Sequence, residues 1–142
     1  MSTYFQGAVK SGDGFSQTAT GVGTAVFSQT ALIDFNATLT SEATFVLPKG
    51  GQIVDIVVDV LTAFNSATSA TLTVGTASAG TQYAGSVDAK TGGRVRPTFS
   101  TAQLAAMDDI GTSTTAYATV TSVGQPTAGQ VRVTVTYTGG AA

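Results

Sequence analysis

Asp55 and Asp59, four residues apart in the apolar run "QIVDIVVDVLTAF", are the first residues of this chain whose type and spacing suggest chemistry. Two carboxylates can share a metal ion or a proton. Four residues along an extended strand, however, span about 13 Å, which is too far for either task. The pair reads as one face of a strand. Asp108 and Asp109 carry the hard oxygen ligands that Ca²⁺ takes, but no Asp-x-Asp-x-Asp-Gly loop surrounds them, and "GDG" at Gly12–Gly14 is a turn signal before it is a metal signal. The chain has no His, Cys or Trp. The usual base near neutral pH is therefore missing, together with disulfides and the commonest zinc ligands. Ser and Thr are abundant, yet there is no Gly-x-Ser-x-Gly elbow and no His to activate a hydroxyl. "GVG" and "GTASAG" lack the Lys and the strand-turn-helix setting of a phosphate loop. The sequence predicts a protein that is not an enzyme, with no catalytic, metal or cofactor site.

The one basic cluster is "TGGRVRPTF", Thr91–Phe99, where Arg94 and Arg96 alternate onto one face of an extended segment ending at Pro97. Two forked guanidinium groups on an exposed loop suit a carboxylate on another subunit. The alternative is a solvated loop paired internally to Asp88 or Asp109. With six basic residues and a net charge of −2, nucleic acid is not an expected partner, because phosphate binding draws on clustered Lys and Arg. No apolar run approaches the roughly 20 residues of a membrane-spanning helix, and "MSTYFQGAVK" lacks the apolar core of a signal peptide. A chain made in the cytoplasm, with no membrane partner, is expected.

Charged residues make up only 10% of the chain, against about 25% in ordinary globular domains. Such a surface is either rich in hydroxyls or hidden against neighbours.

The elements that position these residues read as β-strands. Thr, Val, Ile, Tyr and Phe fall in short alternating runs separated by Gly, Pro, Asn and Ser, at Ala37–Leu47, Gln52–Phe64, Ala70–Thr76, Tyr83–Asp88, Ala116–Val123 and Gln130–Thr138. Period two puts Val54, Ile56, Val58, Val60 and Phe64 on one apolar face and both aspartates on the other. In the last strand Val131, Val133, Val135 and Tyr137 face inward and Arg132 outward, within reach of one of the aspartates. "LPKGG" reads as a turn and "SVGQPTAGQ" as a loop. "STAQLAAMDD" is the only helix signal, with Ser100 as N-cap and Gln103 completing a capping box. Residues 1–34 differ: they are rich in Gly, Ser, Thr and Gln, with isolated Tyr4, Phe5, Phe15 and Phe27. "FSQTA" occurs at Phe15–Ala19 and again at Phe27–Ala31, either by accident of composition or as two equivalent short strands. This segment is expected to be an extended arm that orders against a partner, followed by a β-sandwich domain over residues 35–142. Tyr4, Phe5, Phe15, Phe27, Arg94 and Arg96 are the interface candidates.

The pattern "LPKGGQIVDIVVDVLTAF…ATLTVGTASAGTQYAGSVDA" with a closing "AGQVRVTVTY" resembles small virion proteins of tailed bacteriophages, the head decoration (cement) proteins and head-fibre modules. The similarity covers about two-thirds of the chain, Leu47–Tyr137. The resemblance implies a jelly-roll-like antiparallel β-sandwich on the outer surface of the capsid, often grouped as trimers, with the major capsid protein and copies of itself as partners. A glycan-binding fibre tip and a tail-tube or adaptor subunit are the competing expectations. The glycan reading has only Tyr4, Tyr83, Tyr117 and Tyr137 to stack on sugar.

Overall fold

The computed structural model describes residues 25–112 and 114–139. Eight strands and one helix run in the order β1 (Val26–Asp34), β2 (Thr40–Leu47), β3 (Ile53–Thr62), β4 (Ser69–Gly75), β5 (Ala84–Asp88), β6 (Gly93–Val95), α1 (Thr101–Asp108), β7 (Thr114–Val123) and β8 (Gln130–Thr138). The strands form two four-stranded sheets, ordered β1-β8-β3-β6 and β2-β7-β4-β5. Every pairing is antiparallel: the first strand pairs with the last, the second with the second-last, and so on inward. This is one long hairpin rolled over on itself, the jelly-roll arrangement of an eight-stranded sandwich.

Alternation along the strands builds the core between the sheets. Val131, Val133 and Val135 of β8 face Leu72 and Val74 of β4 and Ala116, Ala118 and Val120 of β7, all buried. Phe45 and Leu47 of β2 fill the β1–β2 side, and Phe64 closes one end beyond β3. Gly129 lies against the Phe64 ring at φ +155, where an added Cβ would come within 2.6 Å of it. The helix carries the capping box its sequence predicts. The Ser100 hydroxyl accepts from the Gln103 backbone N–H and the Gln103 side chain accepts from the Ser100 backbone N–H. Met107 is the residue it buries.

Two expectations need correction. Period two does not hold through β3, because register shifts against β8 fall between Ile53 and Asp55 and between Val60 and Thr62. Each shift is a β-bulge that inserts one residue and flips the parity beyond it. Val54 therefore turns outward, 52% exposed, and Ile53 takes its place in the core. Leu61 is the extra residue at the second bulge and is also exposed. Secondly, the last nine residues of the segment read as an arm form β1, which pairs with β8 without a register shift from Val26↔Thr138 to Asp34↔Gln130. The second "FSQTA" lies inside this strand, with Phe27, Gln29 and Ala31 on its inner side. Phe27 packs on Tyr137 with ring centroids 6.1 Å apart. Tyr4, Phe5, Phe15 and the first "FSQTA" lie outside the described residues.

Candidate interaction surface

All three arginines of the chain stand on the outer face of the first sheet. Register puts Arg132 of β8, Asp59 of β3 and Arg94 of β6 in one row across three strands. Asp59 Oδ1 accepts from Arg94 Nε at 2.6 Å, and Oδ2 accepts from Arg94 Nη2 at 3.1 Å. The same Oδ2 accepts from Arg132 Nε at 3.1 Å and Nη2 at 2.7 Å. One carboxylate thus holds two guanidinium groups, and its side chain is only 10% exposed. Two pleat repeats away, Arg96 Nη1 lies 2.8 Å from Asp55 Oδ2, while Asp55 Oδ1 accepts from the Ile56 backbone N–H. Both aspartates point away from the core, as period two predicts from Asp55 to Asp59, where no bulge intervenes.

The electrostatics follow from this contact list. Hydrogen bonds from Arg94, then those from Arg132, hold the Asp59 carboxyl down at about 2, against 3.8 for a free aspartate. Asp59 raises the Arg94 guanidinium above its ordinary value in return. A carboxylate so held neither gives nor takes a proton near neutral pH. The row is an ion-pair ladder that ties three strands together, and three arginines against two aspartates leave the cluster with one excess positive charge. Arg94 and Arg96 pair to Asp59 and Asp55, not to Asp88 or Asp109. Asp88 instead accepts from the Lys90 backbone N–H, which lowers its pKa. Asp109 accepts from the Gly111 backbone N–H. The side chains of Arg94 and Arg96 remain 64% and 67% exposed, so their outer faces are open to a further acceptor.

The second sheet has a different outer face. Thr40, Thr121 and Thr71 lie in register across β2, β7 and β4. The β4–β5 loop folds back over this sheet, where the Ala79 N–H donates to Thr119 Oγ1 at 3.0 Å, and that hydroxyl donates to Glu42 Oε2 at 3.0 Å. Of the tyrosines considered for sugar stacking, Tyr83 is buried, which pushes its hydroxyl pKa up, and Tyr117 and Tyr137 are half-buried.

The long edges lie together on one side of the sandwich. β1 and β2 are the edge strands there, and Gln29 Nε2 of β1 donates to the Val46 carbonyl of β2 at 2.7 Å. Among the described residues ten large apolar side chains are more than a third exposed, and six of them, Val26, Phe27, Leu32, Phe35, Leu39 and Val46, lie on β1, β2 or their connection. Sequence reasoning found Phe27 of this group and missed the rest. Leu32 had a signal in the apolar triplet Ala31-Leu32-Ile33, which shows no alternation. No protein-family model, curated protein or solved structure matches the chain.

Proposed function

We propose that this protein is a structural component of a bacteriophage virion, a decoration (cement) protein that binds the outer surface of the mature head and stabilises it. The observation that carries the reading is the exposed apolar side around β1 and β2 on a chain with 10% charged residues. Exposed apolar side chains concentrated on one side of a domain point to an interaction site. Val26 and Phe27 lie next to the point where residues 1–24 join the sandwich, so the segment and the apolar side can engage the major capsid protein together. Arg94 and Arg96 supply the polar contact, with exposed guanidinium faces suited to capsid carboxylates. Binding that favours the mature shell over other states stabilises it by mass action, repeated over many copies. The role is mechanical, without catalysis or cofactor.

The test is co-sedimentation of the chain with expanded and unexpanded capsid shells, with and without residues 1–24. The truncation stops short of β1, because removing that strand would strip the first sheet of an edge. Saturating binding to expanded shells that depends on residues 1–24 is the expected result. No binding to either shell sinks the reading.

A further inference from the structure

Four strand edges bound the two sheets, and three are blocked. β6 is three residues long, carries Arg94, and runs through Arg96 into Pro97. β5 is five residues long and irregular against β4, with Ser86 at φ 51. β2 turns its even-numbered residues outward, since the Leu39 carbonyl bonds Ser122 of β7. Its outward carbonyls at both ends are capped: Thr40 accepts from Asn36 Nδ2 and Thr38 Oγ1, and Val46 accepts from Gln29 Nε2. Glu42 stands in the middle. Short edges, charges, bulges and covering groups are the devices by which sheets avoid joining end to end.

Among the described residues β1 has none of them but a charge at its end. It runs nine residues without Pro, Lys, Arg or bulge, and its one charged residue is Asp34 at the end. The Ala25 carbonyl and the Phe35 N–H bond toward the β8 side, so the odd positions face β8. The even positions, Val26, Ser28, Thr30, Leu32 and Asp34, point their backbone N–H and C=O groups away from the sheet. Among the described residues nothing pairs with them.

We propose that this edge pairs antiparallel with β1 of a second copy, about a two-fold axis at Thr30, joining the first sheets of two molecules into one eight-stranded sheet. An isologous contact must be self-complementary, and this register is. It sets Val26 opposite Asp34 of the second copy, Ser28 opposite Leu32, and Thr30 opposite Thr30, so all nine residues find partners. On the inner side Phe27, 38% exposed, meets Ile33, and Phe35, 42% exposed, lies one pair beyond. The two Asp34 carboxylates fall at opposite ends of the ribbon, roughly 27 Å apart, and each already accepts from Gln130 Nε2 at 2.8 Å. On the outer side the Thr30–Thr134 hydroxyl bond of 3.0 Å continues across the axis as a row of four threonines. A two-fold contact replaces the three-fold grouping that the family resemblance implies. It rests on sheet geometry and not on the capsid reading; it takes up the β1 edge and leaves Leu39 and Val46 of the apolar side, both exposed, for the capsid.

Sedimentation equilibrium of the full chain over a range of concentrations tests this. The expected species is a dimer. Thr30→Pro removes an edge N–H that the chain's own sheet does not use, a position where Pro is tolerated, and Ser28→Lys puts a charge beside Leu32 of the second copy. Each is expected to weaken association at least about ten-fold, while Thr30→Val, which keeps the N–H, leaves it unchanged. If Thr30→Pro unfolds the chain, Ser28→Lys carries the test. A monomer at all concentrations, a trimer, or a dimer indifferent to Ser28→Lys overturns the proposal.

Discussion

The two sides of this sandwich are finished in opposite ways. Across β8, β3 and the β6 segment that ends at Pro97, the chain places all of its arginines and two of its seven aspartates on one outer face, each charge answered by another. Along β1 it places a nine-residue strand with one terminal charge, and exposed Val26, Phe27 and Leu32 beside backbone groups that nothing pairs with among the described residues. Five of the chain's fourteen charged residues lock one side, while β1 carries one. The lesson is that low total charge need not mean an evenly inert surface. Here a side held together by ion pairs stands apart from a side whose outward backbone groups have no partner among the described residues.

The comparison breaks first at Asp59. Replacing it by Ala leaves Arg94 and Arg132 facing each other across β3 without their shared acceptor. Charge-assisted hydrogen bonds contribute roughly 1.5–3 kcal/mol apiece at most, and the arginines are partly solvated, so a loss of about 2 kcal/mol is expected in urea melts. Acid probes the same contact. The carboxyl is held at about 2 in the folded chain against 3.8 when free, so its stabilisation is complete above about pH 4 and is lost as pH falls through 2. Melting temperature should decline across that window in the parent and decline less in Asp59→Asn, the residual slope including Asp88, whose pKa is also depressed. An equal slope in both proteins would show that the row contributes nothing. Next in size is Ser100→Ala, which removes the capping box and costs about 1 kcal/mol. It marks the scale of an ordinary local contact remote from either side. The smallest effect belongs to the bare side: Leu32→Thr should change monomer stability by less than about 0.5 kcal/mol, because that side chain is 53% exposed.

Much of the guarded side was legible in the sequence. β8 falls at the residues its alternation predicts, Gln130–Thr138, and Arg132 reaches one of the two aspartates on the strand beside it. The Ser100–Gln103 capping box is likewise local chemistry that four residues specify. What failed to show was of three kinds. The bulges at Val54 and Leu61 leave the composition of β3 unchanged and alter only its phase, so alternation could not find them. β6 spans three residues, too few for any period. The choice of Asp59 and Asp55 over Asp88 and Asp109 as arginine partners is set by strand order across 35 positions and more of chain, which local spacing does not encode. β1 was legible only as one of two readings of the repeat, a short strand over Phe27–Ala31: its polar Ser-Gln-Thr stretch matches the flanking Gly-, Ser- and Thr-rich segment, and its pairing with β8 gives its full extent. Arg94 and Arg96, singled out as a cluster, prove to be two of the three arginines whose ion pairs close the guarded side.

The most direct test of the contrast between the two sides is amide hydrogen exchange, residue by residue, at low and high protein concentration. The account predicts that the outward amides of Ser28, Thr30 and Leu32 slow as concentration rises, while those of Glu42 and Thr44 on β2 and of β6 do not change. Concentration-independent exchange at Ser28, Thr30 and Leu32, or a slowing confined to β2 or β6, would contradict it.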